Sequence, residues 1–169
     1  MDPGRFILGE SDQQNQFEGR LENCDIAIEL ARQSRQIIRI LTPNLEHHIY
    51  DDGHFNHAIM SLATRSKQSQ IKILVKDSTQ SVKNGHRLIE LARKFTSSIH
   101  IHVTPDDLAE IDNAFLLADQ SGYLHKHVGT LYQGQYNFND KLKVRELIKV
   151  FDNAWDRSKP DHELRRLFI

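Results

Sequence analysis

The chain has 169 residues, 38% hydrophobic and 27% charged, with 22 Lys and Arg against 23 Asp and Glu. That length suits one domain with a single sizeable core, and the composition is ordinary for a soluble globular protein. A formal net charge of −1 supplies no global positive field, so wrapping duplex DNA is disfavoured and nucleic acid is not an expected partner.

Cys24 is the only cysteine, which rules out an intramolecular disulfide and favours a reducing, cytoplasmic setting. The opening MDPGRFILGESDQQNQ lacks a long apolar stretch behind a positive segment, so no secretory leader is read there. No apolar run approaches the roughly 20 residues of a membrane helix, and no membrane partner is expected.

In chain order, residues 1–16 read as a polar, flexible N-terminal segment broken by Phe6-Ile7-Leu8. From Phe17 to Gln33, Leu21, Cys24, Ala27, Ile28 and Ala31 fall on one helical stripe; Cys24 within it is a packed thiol rather than a nucleophile. IIRILTP (37–43) is a strand stopped by Pro43, and FNHAIMSLATRSK (55–67) is a helix. IKILVKD (71–77) is a second strand ending on Asp77, followed by the helix NGHRLIELARKF (84–95). SIHIHV (98–103) is a third strand, with Ile99, Ile101 and Val103 on one face and His100 and His102 on the other. DNAFLLADQSGYLHKH (112–127) reads as a hairpin, followed by a short run near Gly129–Tyr132. Asn139 or Asp140 caps a long helix with Val144, Leu147, Ile148, Phe151 and Trp155 on one stripe. Ser158-Lys159-Pro160 ends it, and the tail is expected to pack Leu164, Leu167 and Phe168 onto the body.

Strands alternating with helices of about a dozen residues predict right-handed crossovers. The expected fold is a mixed, largely parallel central sheet with helices on both faces. Residues 17–169 form one α/β domain with a C-terminal helix and tail.

This order of elements resembles one half of a phospholipase-D-like domain. That family carries His-x-Lys-x4-Asp on a strand, and a helix ending F-x3-W commonly closes the unit. Here DNAFLLAD has the matching spacing, with Asp112 in place of the His, Ala114 in place of the Lys, and Asp119 at the Asp. Phe151-x3-Trp155 fits the closing helix, so the pattern spans about residues 20–158. The chain also looks like a bacterial domain family of this architecture that is sometimes attached to an acetyltransferase domain; no acetyltransferase sequence is visible.

In the resembled family, a His attacks phosphorus, a second His protonates the leaving group, and Lys residues hold phosphate oxygens. A nitrogen nucleophile and fixed positive charge are what that chemistry requires. A carboxylate about 4 Å from a phosphate oxygen costs on the order of 4 kcal/mol at an effective dielectric of 20, where a Lys would gain about as much. His-x-Lys occurs nowhere in the chain. The resemblance therefore implies a degenerate, non-catalytic relative without cofactor. It also implies a homodimer by analogy with paired halves, with Asp112 and Asp119 of two copies forming an acidic cleft for a cation or a basic protein partner.

Other constellations are weighed against plainer readings. HHIYDDGHFNH (47–57) places four histidines and two aspartates after the first strand. His54 and His57 could share a metal on a first helical turn, but solvated histidines in a polar loop explain the stretch as well. The pairs His100/His102 and His125/His127 would gather four imidazoles only if their strands were neighbours; an outward polar face is the preferred reading. Asp77 with Asn84-Gly85-His86-Arg87 is the best local case for a small anion at a helix start. The plainer alternative is a capped helix with a solvated Arg87 and His86 bonded to Asp77. Arg32, Arg35, Arg39, Lys67, Lys72, Lys76, Arg93 and Lys94 are read as scattered solvated cations.

The candidate ligand-binding set is thus Asp112, Asp119, Asp77, His86 and Arg87, on one edge of the sheet. The leading reading is a binding, assembly or regulatory module. The alternatives are a phosphoester hydrolase using His86 or a metal, and a weak nucleic-acid-binding module.

Overall fold

The computed structural model describes residues 2–108, 112–128 and 131–165. Three parallel strands form its middle: β2 (Ile37–Thr42), β3 (Gln70–Val75) and β4 (Ile99–Val103). Helix α1 (Arg20–Gln33) leads into β2. The short α2 (His47–Tyr50) and then α3 (Gly53–Arg65) carry the chain from β2 to β3, and α4 (Thr79–Asn84) with α5 (Arg87–Lys94) carry it to β4. Asp52 starts α3 by accepting from the His54 and Phe55 N–H groups, which relieves two of the unpaired donors at a helix start.

Four antiparallel strands extend one side. β5 (Ala114–Ala118) pairs with β2, β6 (Gly122–Lys126) with β5, β7 (Gln133–Asn137) with β6, and β1 (Asn15–Glu18) with β7. On the other side the two-residue β8 (Lys159–Pro160), after helix α6 (Lys141–Asp156), pairs with β4. The order across the sheet is β1-β7-β6-β5-β2-β3-β4-β8.

The sheet is therefore mixed but mostly antiparallel, which corrects the expectation of a largely parallel one. Two of the seven pairings among the described residues are parallel. The reason lies in the connections: a parallel pair needs a long crossover, and of the consecutive strands that pair with each other only β2–β3 and β3–β4 are joined by one. β1, β7 and α4 were not anticipated. β7, QGQYN, has no apolar alternation to reveal it; its Gly134 lies so close to the His125 carbonyl that a Cβ would collide with that backbone oxygen.

Helices do lie on both faces. Ile38, Ile40, Ile71, Ile73, Ile99 and Ile101 alternate toward α1, α3 and α5, where Leu30, Phe55, Ile59, Leu62 and Leu88 fill the larger core. The other face sends Leu41, Leu74, Phe115, Leu117 and Tyr123 against Val144, Leu147, Phe151 and Ala154 of α6. On that same face, Arg39 lies beside Lys72, and Lys72 beside His100, in adjacent strands.

Within residues 1–16, expected to be flexible, Phe6 and Leu8 pack on the larger core while most of their neighbours are exposed. Phe6 stacks on Phe138 at 5.6 Å between ring centroids, and the Gln33 side chain bonds both the Leu8 N–H and the Phe6 carbonyl. Of the expected tail contacts, Leu164 reaches the larger core; Leu167 and Phe168 lie outside the described residues.

Asp119 sits at the turn between β5 and β6 with φ 51°, the one non-glycine residue in the left-handed region among those described. Asp is among the few residues that tolerate this conformation. Its carboxylate accepts from the backbone N–H groups of Arg35, Gln36 and Ile37 at 2.9–3.0 Å, and its own N–H donates to the Ile37 carbonyl. Replacing Asp119 by Ala removes the acceptor for three donors and leaves the strained backbone; we expect a loss of about 2 kcal/mol. Denaturant unfolding of Asp119→Ala beside the parent chain measures it, and an unchanged midpoint would show that water replaces the carboxylate without cost.

Candidate functional site

The carboxyl ends of β2, β3 and β4 form the edge where an open α/β sheet offers ligand positions. Because β5 runs antiparallel to β2, its first residue Ala114 lies at this edge too. The cross-strand partner of Ala114 is Lys126, at the end of β6. The end of β6 thus places a cation opposite Ala114.

That cation is not available to a ligand. The Lys126 side chain is 5% exposed, and its ammonium donates to Oε1 of Glu46 at 2.5 Å. Glu46, in the loop between β2 and α2, is itself 11% exposed at its side chain, so the two charges compensate each other in a water-poor setting. Tyr132 closes the group, with Lys126 at 5.7 Å from its ring, Arg20 at 4.8 Å and the His48 ring edge-on at 4.8 Å. Burial holds His48 below the usual histidine range, with Glu46 opposing.

A second knot forms around Asp51. Its carboxylate accepts from the Arg87 N–H at 2.7 Å and lies 3.1 Å from Nδ1 of His47. The Arg87 guanidinium donates to the Asp51 carbonyl at 2.6 Å. His86 is buried, and its Nδ1 accepts from the Leu88 N–H, which makes it the N-cap of α5. Nε2 then carries the proton and donates to the Leu45 carbonyl at 3.2 Å. Burial lowers its pKa, with Asp51 4.0 Å away opposing. Both nitrogens of a neutral ring are occupied, so His86 positions a helix and has no lone pair facing solvent.

The five residues singled out from sequence do not form one constellation. His86 and Arg87 meet at Asp51. Asp77 is exposed and accepts from the Thr79 N–H at the start of α4; the Thr79 hydroxyl, then this N–H, pull its pKa down, and it is not the partner of His86. Asp112 is exposed just before β5. Asp119 is at the opposite edge, about 23 Å from Asp112 along seven extended residues. One cleft cannot hold both acids of a chain, because β5 stands between them.

The histidine pairs separate in the same way. β4 and β6 have β3, β2 and β5 between them, about 19 Å at the usual strand spacing. His125 is buried and bonds Asn113 at 3.2 Å through Nε2, while His102 stacks on Trp155 at 3.9 Å. His54 and His57 are both exposed. Among the described residues no three His, Cys, Asp or Glu side chains gather as a metal site. Glu46, Asp51 and Lys126, which hold the edge together, were missed by sequence reasoning; no local motif marks them, since their partners lie 80 and 36 residues away.

A family model described as a domain of unknown function, DUF7931, matches residues 20–167. The chain belongs to that family. No curated protein matches its sequence. Among solved structures, NucT from Helicobacter pylori is similar with a TM-score of 0.63 and 10% identity, covering 88% of this chain and 99% of that one. Nuc from Salmonella typhimurium, a phospholipase D family member, has a TM-score of 0.57 and 8% identity with the same coverage of 88% and 99%. TrmBL2, an archaeal chromatin protein with a novel mode of DNA binding, has a TM-score of 0.65 and 13% identity. That match covers 89% of this chain and 54% of TrmBL2, so the chain spans about half of it. The fold of this DUF7931 chain is phospholipase-D-like. No helix among the described residues is long and apolar enough to cross a membrane.

One property of this DUF7931 site is open to direct measurement. Burial pulls His125 down to about 4, with His127 and Lys143 adding repulsion, and burial also lowers His102. With folded values below the unfolded value near 6.5, the unfolded chain binds the proton first. Their contribution to stability is therefore complete above about pH 6.5 and is lost as pH falls toward 4. We expect the urea midpoint to drop between pH 6.5 and 4, with a shallower drop in His125→Gln; equal slopes in the two chains would remove His125 from the account.

Proposed function

We propose that this chain is a non-catalytic phospholipase-D-like domain that serves as a binding, assembly or regulatory module. The observation that carries the reading is the state of the cation across from Ala114. Lys126 is across from Ala114, buried and already paired with Glu46. A phosphodiester over Ala114 would meet a lysine whose charge is already compensated by Glu46. Asp112 occupies the nucleophile's place in the spacing, and His86 has both nitrogens engaged.

The test is hydrolysis of bis(p-nitrophenyl) phosphate, with and without added divalent metal. The expected result is no turnover above the uncatalysed rate. Turnover that disappears in His86→Ala would establish the hydrolase reading instead.

A homodimer is part of the proposal, with the motif edge facing the partner copy. Val128 and Leu131, at 39% and 45% exposure, leave apolar surface beside Lys126 and Tyr132, which suits an interface better than open water. The apolar contact would accompany the paired arrangement that the half-domain resemblance suggests. Sedimentation equilibrium is expected to give twice the chain mass for the parent and a shift toward monomer for Leu131→Asp; a monomeric parent chain would end the idea. A cytoplasmic location is part of the proposal and rests on the single cysteine, Cys24, which has no second thiol to pair with. A second reading, nucleic-acid binding, is favoured by the likeness to TrmBL2, and a gel shift with steep salt dependence distinguishes it.

A further inference from the structure

At the opposite edge of the sheet, a cavity of about 570 Å³ opens between the start of β2, the Asp119 turn and one flank of α6. Four cations line it: Arg35, Arg39, Lys141 and Arg145. Lys141 and Arg145 are one helical turn apart, so both point from α6 toward the same side. Asp119 lines the cavity as well, but its carboxylate is held by the three N–H groups of residues 35–37. Asp152 lies 3.7 Å from Nε of Arg39 and is half-exposed. Four positive charges against two negative leave a net charge of about +2 around this space, in a chain with an overall charge of −1.

Arg39 is the decisive residue. Its side chain is 13% exposed, and its Nε and Nη1 are enclosed without a hydrogen-bond partner among the described residues. Burial lowers its pKa, with Asp152 opposing, yet a guanidinium stays charged in proteins. Among the described residues the one carboxylate beside Arg39 is Asp152, at 3.7 Å and half-exposed, so the protein compensates this charge only weakly. A guanidinium presents paired donors that match a phosphate. The cavity falls within the size range of small-molecule sites and is far larger than a phosphate group. Ile148 supplies an apolar wall, and Gln36 and Gln120 supply neutral polar groups.

We propose that this cavity is a binding site for a small organic phosphate monoester, with the dianion held by Arg39 and Arg145 and the organic portion against Ile148. The site lies at the edge away from Ala114 and Lys126, so it is independent of the hydrolysis and dimer assays.

The experiment is isothermal titration at low ionic strength with two probes, inorganic phosphate and adenosine 5′-monophosphate. The expected result is saturable binding, tighter for the monophosphate, weakened at least tenfold in Arg145→Glu and in Arg39→Gln. Arg145 is exposed, so its variant retains the fold even if the variant at the largely enclosed Arg39 does not. Lys83→Glu makes the same charge change on α4 at the other edge and should bind as the parent does. Inorganic phosphate binding as tightly as the monophosphate would remove the organic portion from the site. No saturable binding, equal weakening in Lys83→Glu, or binding of single-stranded oligonucleotides without binding of the mononucleotide would overturn the proposal.

Discussion

The bond set around Asp119 is the constraint on which the architecture depends. β2 belongs both to the parallel trio and to the antiparallel extension, so its placement decides whether the two halves form one sheet. The Asp119 carboxylate collects the N–H groups of Arg35, Gln36 and Ile37. The residue's own N–H returns to the Ile37 carbonyl. Four hydrogen bonds thus pin the end of β5 to the start of β2, and from there the register Ile38–Ala118 through Leu41–Phe115 follows. A one-residue slip would turn Leu116 and Ala118 out of the larger core and Leu117 into it. In the resembled motif, then, the Asp position has an architectural role in this chain, which does not depend on the reacting groups at the other end of the strand.

That separation leaves the Ala114 end of β5 free to vary while the fold stays intact. At Ala114 the strand needs only a small side chain beneath Lys126, because the space is filled by the Lys126–Glu46 pair. Two enclosed charges of opposite sign do not stabilise greatly, since desolvation offsets most of their attraction. What they do is fix the loop between β2 and α2 against β6. The Asp51 knot does the same between α2 and α5. Both arrangements turn groups that could have faced a substrate into internal fastenings.

Legibility from sequence followed the physics of each element. β2, β3, β4, α3 and α6 were placed within two or three residues because each buries a continuous or periodic apolar face. Asp140 was a readable cap, and its side chain does accept from the Lys143 N–H. β1 and β7 were invisible because their burial comes from the sheet around them rather than from their own residues, four and five long. The direction of β5 followed from the hairpin, but β7 and β1 beyond it did not, which is why the parallel share was overestimated. The candidate site was less legible. Spacing along one strand separates Ala114 from Asp119, but the alternation that orders side chains by face carries no information about which end of a strand meets which loop.

The scattered cations show the same limit from the other side. Arg35 and Arg39 stand on one segment and Lys141 and Arg145 on another more than a hundred positions later, so nothing local announces that they face each other. Period-2 patterning does place Arg39 on the face opposite Ile38 and Ile40, and it made that face look like a solvated one. Packing of α6 across the strand changed its meaning. The helix seals the apolar end of the face with Phe151 and Leu147 and leaves its charged flank over Arg39, so an ordinary outward arginine becomes an enclosed one. Lys126 at one edge is thus compensated by Glu46, while at the other edge four cations face two carboxylates.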